Sequence, residues 1–218
     1  MKNYKYIFFD FDGTLVNSME GTRKSAEYAL KKIIEDNEDL GKLFCGPTLK
    51  QSFESFALNN EQINRAIELY RIYQAENTIE INTLYDGIKI LLKNLKKNNK
   101  ILILVTVKYE KTAIKILKHL GIFKYFDYIF GTTGNSQDKV FLLKKACESI
   151  DSLNLSECIM IGDRISDIHA GKLNNMDTMG VLYGMENRED LIKSESTYLI
   201  ETPYEILDIL FNKNNSIK

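Results

Sequence analysis

The chain is 218 residues long, 44% hydrophobic and 27% charged, which suits a globular protein with a sizeable core and excludes a fibrous or disordered one. Lys+Arg 29 against Asp+Glu 30 gives a net charge of -1, so no basic excess points to nucleic acid or an anionic membrane surface. Cys45, Cys147 and Cys158 are odd in number and form no C-x-x-C pair, which argues against a disulfide framework or zinc site and for a reducing compartment.

The first dozen residues already contain acids and lack an apolar signal-peptide core. No apolar run approaches the ~20 residues that a membrane span needs. A cytoplasmic protein without membrane or nucleic-acid partners is expected, as monomer or homodimer. Tyr6 to Phe9 reads as a buried strand, rich in aromatic and β-branched residues. It runs directly into Asp10-Phe11-Asp12-Gly13-Thr14-Leu15. Side chains alternate along a strand, so Asp10 and Asp12 point the same way, and Gly13 permits a turn that brings the Thr14 hydroxyl beside them. Two like charges this close are costly unless a cation lies between them or one holds a proton.

After Leu15 the apolar spacing changes to helical. Ala26, Ala29, Leu30 and Ile33 predict a helix over 18–36, Gly41–Pro47 reads as a loop, and further helices are expected over 49–57 and 61–74. The stretch 17–82 thus holds helices and no convincing strand. A connection that long within an α/β unit predicts an inserted helical domain, with residues 1–16 and 83–218 forming the other. From Tyr85 onward helix and strand alternate: helix 87–98, strand 101–105, helix 111–120, strand 128–130, helix 139–150 and strand 158–161. A short helix from Ile168, a strand over 178–182 and a strand–helix pair over 198–211 follow, then a frayed tail over 212–218. Alternation at this pitch predicts an α/β fold with a doubly wound parallel sheet. Lys93, Lys96, Lys97 and Lys100 are expected to form a solvated helix end, and neither His119 nor His169 has metal-ligand spacing.

Polar residues at the ends of these strands carry the chemical signal. The strand over 101–105 ends in Thr106, and the strand over 158–161 runs into Gly162-Asp163-Arg164-Ile165-Ser166-Asp167. In open α/β sheets, sites lie beyond the carboxyl ends of the strands. Lys139 is anomalous, because a cation in the first turn of a helix opposes the macrodipole by ~0.3–1 kcal/mol. A lysine there suits a bound anion. Lys108, two residues after Thr106, competes for the same task.

Asp10–Thr14, Thr106, Lys139 and Gly162-Asp163 with Asp167, in that order, resemble the motif series of the haloacid dehalogenase superfamily of phosphotransferases. Tyr85-Asp86-Gly87 and Gly180-Val181-Leu182-Tyr183-Gly184, with Gly46-Pro47-Thr48-Leu49, are similar to its phosphoglycolate phosphatase-like branch. That resemblance implies a Rossmann-like core with a helical cap, and Mg²⁺-dependent hydrolysis of a small phosphorylated metabolite through an aspartyl-phosphate. It implies Asp10 as nucleophile, Asp12 as general acid and base, and Thr106 and Lys139 on the phosphoryl oxygens. The Asp10 carboxylate, Asp12 carbonyl and Asp163 carboxylate would hold the metal, with Asp167 behind them and Gly13, Thr14 or Lys108 as further phosphate contacts. A 5′-nucleotidase, a pyrophosphatase and a sugar phosphomutase are the alternatives on the same fold, and a non-enzymatic binding module would require loss of a core carboxylate. The chain departs from the branch at Asn17, usually an acid, and at Thr106-Val107-Lys108, usually Thr-Ser/Asn-Lys.

Overall fold

In the computed structural model, which describes residues 2–34, 49–133 and 138–211, strand β1 (Tyr6–Phe9) is buried along its whole length. It lies between β4 (Ile101–Tyr109) and β6 (Cys158–Gly162). Beyond them the six-stranded parallel sheet continues to β5 (Tyr128–Thr132) on one side and to β7 (Asp177–Val181) and β8 (Tyr198–Ile200) on the other, in the order β5-β4-β1-β6-β7-β8. Strands buried on both faces read as continuous apolar runs, which is why Ile7-Phe8-Phe9, Leu102–Val105 and Ile159–Ile161 carry no polar alternation. Helices α4 (Ile88–Lys97), α5 (Glu110–His119), α6 (Lys139–Glu148), α7 (Ile165–Leu173), α8 (Arg188–Lys193) and α9 (Pro203–Phe211) connect or flank these strands. Two apolar clusters cover the sheet. One gathers Phe9, Leu104, Ile161 and Leu92; the other gathers Phe8, Ile103, Met160 and Leu143.

From β1 the chain goes first to one side of the sheet and later to the other. The winding therefore reverses around β1, where β1, β4 and β6 open a crevice beyond their carboxyl ends. Asp10 and Asp163 directly follow β1 and β6, and Thr106 lies on β4 two residues past Leu104, the last residue paired with β1.

Helices α1 (Met19–Lys31), α2 (Leu49–Glu54) and α3 (Asn60–Asn77) share an apolar cluster of their own, built on Ala26, Leu30, Phe53, Ile63 and Tyr70. The chain leaves the sheet through β2 (Val16–Asn17) and returns through β3 (Thr83–Leu84), which pair as an antiparallel ribbon. That ribbon is absent from the sequence reading, because two residues per strand carry no periodicity.

Other differences have local causes. Strand β4 runs four residues past Val105, where the Thr106 hydroxyl accepts the Lys108 backbone N–H and the buried Lys108 side chain reaches Asp12. Helix α7 starts at Ile165 rather than Ile168, because the Asp167 carboxylate accepts the Arg164 backbone N–H at 3.0 Å and caps the first turn. Lys100 is buried, contrary to the expected solvated helix end; its ammonium donates to the Tyr4 carbonyl and to Asn3 at 3.0 Å. Residues 35–36 of the first predicted helix, the loop at 41–47, Cys45, Asn135–Gln137 and the tail 212–218 lie outside the described residues. Among the described residues, no helix is long and apolar enough to cross a membrane.

Candidate active site

Strand β1 delivers Asp10 into the crevice almost completely buried, with its backbone N–H donating to the Ile161 carbonyl at 2.9 Å. Lys139, from the first turn of α6, reaches the same point. Its ammonium donates to Asp10 Oδ1 and, at 3.0 Å, to the Val105 carbonyl, and it lies 2.8 Å from Asp167 Oδ1. The helix tolerates this cation because Asp138 caps it, its carboxylate accepting the Phe141 N–H at 2.7 Å. The lysine that opposes the helix dipole is thus held by two buried carboxylates.

Asp163 leaves β6 fully buried. Its two oxygens take different donors: the Thr14 hydroxyl on Oδ1 and the Met185 N–H on Oδ2, each at 2.9 Å. Gly13, at φ +84°, makes the turn that brings Thr14 there, and a Cβ on it would come within 2.1 Å of Asp163 Oδ2. Gly184 packs as closely from the other side, where a Cβ would meet the Asp163 Cβ at 2.1 Å. The turn after β1, the end of β6 and the loop after β7 therefore close on one carboxylate.

Asp10, Asp163 and Asp167 present ligand oxygens within 4.8 Å of one another, all from buried residues. Three carboxylates against the single ammonium of Lys139 leave a net charge of −2 when all are ionised. Burial, and then the charges of Asp167 and Asp163, push the Asp10 carboxyl up to about 8 despite Lys139. Burial and the Asp167 charge push Asp163 up to about 6. Burial works against charge on Lys139, yet Asp10 and Asp167 together raise its pKa. Asp167 Oδ1, fully buried, touches the ammonium but accepts no aligned hydrogen bond. An excess of buried anionic oxygen over the single ammonium fits a hard divalent cation, so these residues suit the magnesium ion that the resemblance implies.

Asp12 stands apart from this cluster. It is partly exposed, and the buried Lys108 donates to both of its oxygens, at 3.0 and 3.2 Å. The Thr106 hydroxyl oxygen accepts the Lys108 backbone N–H at 3.1 Å, so β4 supplies both residues from one turn. The two lysines that competed in the sequence reading are thereby separated: Lys139 pairs with Asp10 and Lys108 with Asp12.

Three contacts were not visible in the sequence, although Tyr85, Tyr183 and Gly184 lie in segments that carried the resemblance. The Tyr183 hydroxyl donates to the Thr14 carbonyl at 2.9 Å, and its ring packs on Tyr85 with centroids 4.9 Å apart. The Met185 N–H is a backbone group that no residue pattern announces. Tyr70, buried in α3, has its hydroxyl pKa raised chiefly by burial and further by the charge of Asp12, and its neighbour Arg71 lies 5.5 Å from the centre of the Tyr109 ring at the end of β4.

This fold and site define a phosphatase-type hydrolase. Residues 7–181 match the family model described as haloacid dehalogenase-like hydrolase, and the chain belongs to that family. It is similar to a 5′-nucleotidase of Pseudomonas aeruginosa, with 30% identity over 89% of this chain and 90% of the relative. It is also similar to the tyrosine-protein kinase PtkA of Mycobacterium tuberculosis (strain ATCC 25618 / H37Rv), with 33% identity over 89% of this chain and 67% of that one. Among solved structures, a predicted phosphatase from Clostridium acetobutylicum superposes with a TM-score of 0.86 at 36% identity, covering 95% of this chain and 98% of that one.

Proposed function

We propose that the chain hydrolyses a small phosphate monoester through an aspartyl-phosphate on Asp10, with Mg²⁺ as cofactor and a substrate of the phosphoglycolate type. The observation that carries this reading is the buried cluster of Asp10, Asp163, Asp167 and Lys139 at the sheet's switch point, with a second acid, Asp12, two residues from the first. The Asp10 carboxylate attacks phosphorus and the bond to the alcohol oxygen breaks. Asp12 gives its proton to the departing oxygen, then takes one from the water that attacks the phospho-aspartate, which restores Asp10 and releases inorganic phosphate. Thr106 and Lys139 hold phosphoryl oxygens as charge shifts between the attacking and leaving atoms. The Asp10 carboxylate, the Asp12 carbonyl and the Asp163 carboxylate would hold Mg²⁺, with Asp167 orienting that set. When bound, the ion supplies positive charge against the phosphoryl oxygens.

Residues 17–82 act in this reading as a cap over a core made of 1–16 and 83–218. Support comes from the separate apolar cluster of α1–α3 and from the two-strand connection at β2 and β3. A nucleoside monophosphate is the second reading, favoured by the 5′-nucleotidase relative. The test is phosphate release from 2-phosphoglycolate, nucleoside monophosphates, pyrophosphate, a sugar phosphate and phosphotyrosine, with Mg²⁺ and with a chelator. Release that requires Mg²⁺ and favours the small acid supports the reading. Equal release in chelator removes the cofactor, and a preference for nucleotides selects the second reading. An ATP-dependent transfer assay on a tyrosine-containing protein runs beside it, since one relative is named a kinase.

A further inference from the structure

Three hydrogen bonds and a short stretch of chain close a circuit around the Asp163 carboxylate. The Tyr183 hydroxyl donates to the Thr14 carbonyl, the Thr14 hydroxyl to Asp163 Oδ1, and the Met185 N–H to Asp163 Oδ2, each at 2.9 Å. Gly184 joins Tyr183 to Met185 and packs so tightly that a Cβ on it would lie 2.7 Å from the Gly13 carbonyl oxygen. Thr14 and Asp163 are fully buried, so water cannot replace these donors while the circuit is closed. Donors on both oxygens fix the plane of the carboxylate, and each oxygen keeps a lone pair for a cation.

Tyr85, the first residue after β3, touches this circuit twice. Its N–H donates at 3.2 Å to the carbonyl of Leu15, which follows Thr14 in the chain. Its side chain packs on Tyr183, with ring centroids 4.9 Å apart and planes inclined by 57°. Val16, the next residue, pairs with Leu84 in the ribbon of β2 and β3. The ribbon that carries the chain to and from α1–α3 therefore ends on the turn that contains Thr14 and on the phenol that holds the Thr14 carbonyl. Close-packed groups transmit displacement, so the ribbon cannot shift Tyr85 without disturbing one of these two supports.

From this geometry we propose that Tyr183 is a positioning residue for Asp163, acting through Thr14, and that Tyr85 sets it against the β2–β3 connection, so that Mg²⁺ affinity and the conformation of that connection are linked. This deepens the proposed function and rests on its assignment of Asp163 as a metal ligand. Linkage is reciprocal: what the connection does to the affinity of the ion, the bound ion does to the connection.

The test is calorimetric titration of the full chain with Mg²⁺, without substrate, for the wild type, Tyr183→Phe, Tyr85→Leu and the double variant, with the Tm of each metal-free protein measured alongside. Tyr183→Phe keeps the ring against Tyr85 and removes only the hydroxyl. It should weaken Mg²⁺ binding about tenfold, the low end for groups that stand behind a metal ligand. Tyr85→Leu should weaken it in the same direction, and the double variant should bind no more weakly than Tyr183→Phe alone, because both changes act along one path. Unchanged affinity in either single variant overturns the inference, even with a lowered Tm, since a residue that only supports the fold moves Tm and not Kd. Losses that add in full overturn it as well. If the wild type binds no Mg²⁺, the metal assignment falls and takes the inference with it, whereas unchanged affinity in the variants removes the inference alone. Hydrogen exchange at the Tyr85 amide of the wild type decides the matter should a variant fail to fold. Slowing by Mg²⁺ beyond that of the chain as a whole supports the linkage, and a rate that follows the rest of the chain overturns it.

Discussion

Asp10 combines a carboxyl pKa near 8 with a direct lysine contact, a state that a catalytic nucleophile can occupy only when neighbouring charge is rebalanced. Asp10→Asn keeps the shape and most of the hydrogen bonds but cannot attack phosphorus. Turnover should fall by about 10⁴ or more, with an unchanged circular-dichroism spectrum. Near wild-type hydrolysis, once deamidation is excluded by mass, would rule out the covalent assignment. The raised carboxyls also set a pH dependence. Asp10 and Asp163 titrate near 8 and 6 in the fold against a reference value of 3.8. The folded state thus binds more protons than the unfolded chain through this interval. The stability these groups contribute is present below about pH 4 and is lost as pH rises through 6 and 8. Mg²⁺ needs both groups ionised, so the rise in Tm on adding Mg²⁺ should grow from pH 5.5 to pH 8. A shift of constant size across that range would dissociate the ion from these carboxylates.

At the scale of elements, legibility followed local chemistry. Strands β1, β4 and β6 are readable because burial on both faces leaves uninterrupted apolar runs, and α4 because Leu91, Leu92 and Leu95 repeat at helical spacing. Lys139 was legible as an anomaly, a cation in a helix's first turn, although its carboxylate partners 129 residues away in Asp10 and from Asp167 were not. The start of α7 was hidden because an aspartate within the helix does the capping, and the Tyr183 and Met185 contacts because long-range and backbone donors leave no spacing in sequence. Helix α3 depends on a local device that was equally unannounced. The Asn59 side chain accepts the Gln62 N–H at 2.9 Å, and the Gln62 side chain accepts the Asn59 N–H at 3.0 Å. Asn59→Ala removes half of this reciprocal cap, for a cost of about 1 kcal/mol. Thermal unfolding should move down by roughly 2–4 °C for a chain of this size, and an unchanged midpoint would show that the cap contributes nothing to global stability.

For the whole molecule, the division of labour follows from where the apolar clusters and the acids lie. The carboxylates of the buried cluster follow strands β1 and β6 or lie on α7, while α1–α3 close around their own core and join the rest of the chain through β2 and β3. Tyr85 follows β3 directly, its N–H donating to the Leu15 carbonyl at 3.2 Å and its ring resting on Tyr183, so the connection ends against groups that hold Asp163. Under the proposed function, a unit joined by two short strands would rotate as a body, closing over the reacting phosphate to exclude water and opening to release product. Because Asn17 and Thr83 are cross-strand neighbours, a short Gly/Ser hairpin can replace residues 18–82 without stretching the ribbon. The resulting chain should retain Mg²⁺ binding by calorimetry, since the proposed ligands lie outside the excised unit. It should lose discrimination between small and bulky phosphate esters, because the helices proposed to cover the site are gone. A folded variant that keeps the wild-type order of substrates would place selection within the sheet domain instead, and the helices would then serve closure alone.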